Sequence, residues 1–71
     1  MTITLEQARK LLTSDLSFTQ LGFSMMLTRL KALYAKDSSQ STLQNCTSEI
    51  NEFLGKFKVI MSVDYAAISK L

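Results

Sequence analysis

Residues 17–36 read SFTQLGFSMMLTRLKALYAK, and this stretch decides the predicted fold. It contains no proline, and its apolar residues recur three and four positions apart, which predicts one long helix. At about 100° per residue, this helix has two apolar faces. One face carries Phe23, Leu27 and Leu30, and the nearly opposite face carries Phe18, Leu21 and Met25. A helix that is apolar on two sides must be covered on two sides. A short N-terminal helix can cover part of the second face, and if it leaves Met25 uncovered, the remainder is predicted to contact a partner.

A second long helix is predicted over residues 41–61. Its apolar stripe alternates three and four positions apart through Leu43, Cys46, Ile50, Phe53, Phe57 and Ile60. The polar residues 37–40 separate the two stripes and predict a short loop between the two helices. Two amphipathic helices joined in this way pack as an antiparallel helical hairpin, over about 17–36 and 41–61.

Helix starts are indicated by three capping-box patterns, in which a hydroxyl residue precedes a glutamine by three positions. The pairs are Thr4 with Gln7, Ser17 with Gln20, and Ser41 with Gln44. The first pair predicts a short N-terminal helix over about 4–12, beside the hairpin. The fold class is therefore all-α, in a single small helical domain over residues 1–71, with a C-terminal helical extension.

The C-terminal extension has three possible structures: it continues the third helix, it breaks near 62–64, or it pairs as a strand. The strand alternative rests on apolar residues at every second position, which would pair with a strand of a second molecule: Phe57, Val59, Met61, Val63 and Tyr65. We prefer a break near 62–64 followed by a short helix from Tyr65, with Asp64 as its N-cap.

The small size of the chain favours association with another protein. Seventy-one residues build only a thin core, and chains of this size usually add disulfides, a metal or a partner. Cys46 is the one cysteine and there is no histidine, so neither a disulfide nor a structural zinc site is expected. A partner protein or a second copy of the chain is the remaining solution.

Candidate catalytic groups are few, and we expect no enzyme activity, cofactor, metal or small-molecule substrate. Cys46 lies on the core stripe and lacks a histidine base, which is typical of an inert buried thiol. Glu49 and Glu52 are one turn apart and in principle share a cation, but their polar neighbours favour a solvated helix face.

Nucleic-acid binding is the alternative function. The first two predicted helices resemble a helix-turn-helix, in which Ser17, Thr19, Gln20 and Ser24 would reach base edges. The basic residues Arg29, Lys31 and Lys36 lie at the far end of that helix, so the sequence disfavours this alternative.

The sequence also predicts a location. It has no apolar run near the ~18 residues of a membrane span and no signal-peptide pattern at its start, so we expect a cytoplasmic protein without membrane insertion.

The favoured function is a non-enzymatic helical protein–protein interaction module, such as a small adaptor, chaperone-like protein or assembly subunit. Small secretion chaperones use hairpins of this size, which is a likeness of architecture alone. The predicted partner-binding residues are Phe18, Leu21 and Met25, together with Met61 and Val63 near the C-terminus. A homo-oligomer or a complex with another protein is expected.

Overall fold

The computed structural model describes residues 2–56 and 62–71, except for the side chains of residues 62–65. Within this part of the chain the fold is all-α, as predicted, and the helices are α1 (Leu5–Thr13), α2 (Leu21–Lys36), α3 (Gln40–Lys56) and α4 (Ser62–Ser69). The first three helices pack against one another around a common core.

The start of α1 has the predicted capping box. The Thr4 hydroxyl accepts a hydrogen bond from the Gln7 backbone N–H at 3.1 Å, and the Gln7 side-chain oxygen accepts one from the Thr4 N–H at 2.9 Å. These bonds satisfy backbone donors that have no partner within the helix. The buried side of α1 then carries Ala8, Leu11 and Leu12.

The predicted start of α2 at Ser17 is wrong, because the helix begins at Leu21 and Gln20 is its N-cap. The Gln20 side chain accepts a hydrogen bond from the Phe23 N–H. Residues 14–20 form a non-helical connection that brings Phe18 edge-on to Phe23, with ring centroids 5.0 Å apart. In a helix starting at Ser17 these two rings would be five positions apart and on different faces, so the aromatic contact explains the shorter helix.

The antiparallel hairpin is confirmed by contacts that run in opposite directions along α2 and α3. Phe23, early in α2, meets Phe53, late in α3, with ring centroids 5.5 Å apart. Further along α2, Arg29 forms an ion pair with Glu49. The predicted cap at Ser41 is wrong, because α3 begins at Gln40 and the Ser39 hydroxyl accepts the Thr42 N–H at 3.3 Å.

The core is a single apolar cluster contributed by every helix. Its largest fully buried side chains are Phe23, Leu11, Leu30, Ile50, Leu54 and Ile68. Ile68 belongs to α4, so the C-terminal helix packs onto the core. Phe53 is only partly buried at the edge of the cluster.

The C-terminal prediction needs two corrections. Residues 62–65 are helical, so the alternative strand over 57–65 is wrong in this part. The helix starts at Ser62 and includes Asp64, which is therefore not the N-cap of a helix starting at Tyr65. The predicted break overlaps residues 57–61, which lie outside the described residues.

Candidate functional site

The outward side of α2 carries a row of exposed residues that we call the outer seam. It consists of Leu21, Met25, Thr28, Ala32 and Ala35, all classed as exposed. Leu21 is 72% exposed and Met25 is 64% exposed, the highest values among the large apolar side chains of the described residues. The spacing along the outer seam is four, three, four and three, which is the spacing by which one helix packs along another.

The packing of α1 and α3 leaves the outer seam uncovered. Both helices contact the opposite side of α2, where Phe23, Leu27 and Leu30 are almost completely buried. The sequence predicted that α2 has a second apolar face outside the core. This prediction is correct at Leu21 and Met25, which are both exposed.

The charges on α2 are all basic. The helix contains Arg29, Lys31 and Lys36 and no acidic residue. Arg29 is paired with Glu49 of α3, and the Lys31 Nζ donates to the Ser14 carbonyl at 3.0 Å. Both cations therefore form contacts that connect α2 to other parts of the chain.

A groove of about 510 Å³ lies between α2 and α3. Its apolar lining is Met26 and Phe53, and its charged lining is Arg29, Glu49, Glu52 and Lys56. Glu49 pairs with Arg29, and Glu52 pairs with Lys56 at 3.3 Å. The two glutamates thus belong to separate ion pairs on a solvated surface, as the sequence analysis favoured.

The predicted partner-binding residues do not all lie together. Leu21 and Met25 lie on the outer seam, but Phe18 precedes α2, is half-buried and packs against the core beside Phe23. Phe18 is therefore not part of this face. Met61 and the side chain of Val63 lie outside the described part of the structure.

Sequence reasoning missed three members of the outer seam, Thr28, Ala32 and Ala35. The sequence feature that marks them is the spacing of four and three residues, which continues from Leu21 and Met25. Two alanines and a threonine are too small or too polar to be recognised as part of an apolar face.

The candidate nucleophile Cys46 is buried in the core. Cys46 is 2% exposed, and burial raises the pKa of its thiol, so the reactive thiolate is disfavoured. Among the side chains of residues 2–56 and 66–71, no three or more from histidine, cysteine, aspartate and glutamate are grouped so as to hold a metal ion. None of the described helices combines the length and the apolar character needed to cross a bilayer.

Comparisons with known proteins find no similar one. No protein family matches the chain, and neither does any curated protein or solved structure. The fold and the outer seam therefore define the chain only as a small all-α protein with an exposed apolar helix face.

Proposed function

We propose that this protein is a non-enzymatic helical interaction module that binds another protein chain through the outer seam of α2. The observation that carries the proposal is the exposure of two large apolar side chains, Leu21 at 72% and Met25 at 64%, one turn apart on one helix face. A small adaptor, a chaperone-like protein and an assembly subunit all act in this way. The proposed setting is the cytoplasm, where a lone thiol such as that of Cys46 stays reduced.

The physical support is the free energy of burying this face. Complete burial of a leucine or methionine side chain contributes about 1.5–3 kcal/mol. In the free chain Leu21 and Met25 have gained little of this burial free energy, because the core does not cover them. A partner that covers them would supply the rest. Methionine also suits a contact surface, since its flexible thioether adapts to different neighbours.

The alternative function, DNA binding through α1 and α2, is less well supported. Residues 14–20 separate the two helices, whereas a helix-turn-helix uses a turn of about three or four residues. Gln20, a candidate for reading bases, caps α2 with its side chain. Arg29 pairs with Glu49 at a distance from the N-terminal end of α2, which is the end that would enter the groove.

Photo-crosslinking in native extract tests the proposal. A photoreactive phenylalanine analogue is placed at Met25 in one variant and at Ser48 in a control variant. Ser48 is an exposed polar position on α3, so the two probes differ in the face they report and not in access to solvent. We expect discrete protein adducts from position 25 and few or none from position 48.

Equal adduct yields at both positions, or none at position 25, would contradict the proposal. Duplex DNA titrated with salt tests the alternative function in parallel. Binding at low salt that falls steeply with added salt would support the DNA-binding alternative instead.

A further inference from the structure

We propose that a second copy of this chain covers the outer seam, with the two α2 helices side by side and antiparallel. This inference rests on the proposed function and names the partner. It follows from the order of side-chain sizes along the outer seam and from the positions of the charges beside it.

The side-chain sizes along the outer seam are complementary only when the second helix runs in the opposite direction. The first two positions of the outer seam carry the large residues Leu21 and Met25, and the remaining three carry the smaller Thr28, Ala32 and Ala35. In an antiparallel pair, Leu21 of one copy packs against Ala32 of the other, and Met25 packs against Thr28. Each of these two contacts occurs twice by symmetry, so the contact has four successive layers. In every layer a large side chain from one helix packs against a small one from the other, which gives close packing.

The charges beside the outer seam favour the same arrangement. In this antiparallel register, Arg29 lies beside Gly22 of the second copy, and Lys31 lies beside Ser24. Each cation thus faces a small uncharged residue rather than a second cation.

A parallel pair is disfavoured by the same residues. In a parallel pair of heptad-spaced helices, positions five residues apart face each other across the contact. Lys31 of one copy would then lie beside Lys36 of the other, and this repulsion would occur twice. Leucine would also meet leucine, and alanine would meet alanine, which leaves the C-terminal half of the contact poorly filled.

The size of the contact predicts a weak, reversible dimer. A helix of 16 residues is only about 24 Å long. One pair of such helices buries less than the about 1,200 Å² that marks the lower limit of ordinary stable interfaces. We therefore expect dissociation in the micromolar range.

Disulfide trapping between two variants, each with one introduced cysteine in addition to the native Cys46, tests the direction of the pair. One chain carries Leu21→Cys, and a second chain of different tagged mass carries Ala32→Cys. Both positions are exposed, so neither change disturbs the core, and the native Cys46 is 2% exposed and does not compete. Each chain is oxidised alone and as an equimolar mixture, at a concentration where the wild-type chain is dimeric by sedimentation.

We expect the mixture to form the mixed disulfide at least several-fold faster than either chain links to itself, because only the 21–32 pair is close in the antiparallel register. Faster self-linking of the Leu21→Cys chain would indicate a parallel pair and overturn the inference. A wild-type chain that stays monomeric would also overturn it. If that monomer still forms adducts with another protein from position 25, the proposed function stands; if it forms none, both fail.

Discussion

Asn51 holds the backbone of Ile3 through both ends of its side-chain amide. The Asn51 Oδ1 accepts a hydrogen bond from the Ile3 N–H at 2.7 Å, and the Asn51 Nδ2 donates to the Ile3 carbonyl at 3.2 Å. Ile3 is itself buried at 5% exposure. The segment before α1 is therefore fixed to α3 by two polar contacts as well as by apolar packing.

Loss of this amide is expected to destabilise the fold. Asn51→Ala leaves the Ile3 backbone groups without their partner, which costs about 1–3 kcal/mol of the free energy of unfolding. Urea denaturation measures the change. Asn45→Ala is the matched control on the exposed side of α3, where we expect a change within about 0.5 kcal/mol. Equal stability of the two variants would show that the Asn51 contacts contribute nothing.

The two phenylalanines that join α2 and α3 are expected to differ in their contribution to stability. Phe23 is 0% exposed, so Phe23→Ala should cost about 3–5 kcal/mol and unfold much of the protein. Phe53 is only partly buried, so Phe53→Ala should cost clearly less. Thermal denaturation followed by circular dichroism compares the two variants. A larger loss for Phe53→Ala would contradict the position of Phe53 at the edge of the core.

The turn between α2 and α3 contains a carboxylate with a shifted pKa. Hydrogen bonds from the Thr42 hydroxyl, at 2.6 Å, and from the Ser39 N–H, at 3.1 Å, hold the pKa of Asp37 below its ordinary value of 3.8. Because the pKa is lower in the folded chain, the stabilisation is fully present above pH 3.8 and is lost as the pH falls through the folded-state pKa.

Removal of the Thr42 hydroxyl should therefore raise the pKa of Asp37. In Thr42→Val we expect the midpoint of the Asp37 carboxyl titration, followed by NMR, to move up towards 3.8. Ser38→Ala is a neighbouring control that leaves both hydrogen bonds in place. An unchanged midpoint in Thr42→Val would show that the hydroxyl does not stabilise the carboxylate.

Much of the fold was predictable from the spacing of apolar residues. The stripes over 23–30 and 43–53 identified both helices of the hairpin because the same residues form the buried core. The boundaries were less predictable, since a capping pattern competes with tertiary contacts. Ser17 has the capping sequence, but the contact between Phe18 and Phe23 requires a non-helical chain there.

The candidate site was only partly predictable. Leu21 and Met25 were identified because large apolar residues opposite a core face are conspicuous in the sequence. The role of Asn51 was not, because its partner is the backbone of Ile3, forty-eight positions away, and backbone groups have no sequence signature. The four-and-three spacing extends the outer seam to Ala32 and Ala35, but their exposure is evident only from the packing of α2.

Sedimentation equilibrium over a range of concentrations tests the central claim most directly, namely that the outer seam of α2 is a protein-contact surface that a second copy covers. Three chains are compared: the wild type, Met25→Lys, and Ser48→Lys, which adds the same charge to an exposed position on α3. We expect the apparent mass of the wild type and of Ser48→Lys to rise above 8.0 kDa with concentration. Met25→Lys should stay at the monomer mass with unchanged helix content by circular dichroism. A wild-type chain that remains at 8.0 kDa throughout, or a Met25→Lys chain that loses its helices, would contradict the account.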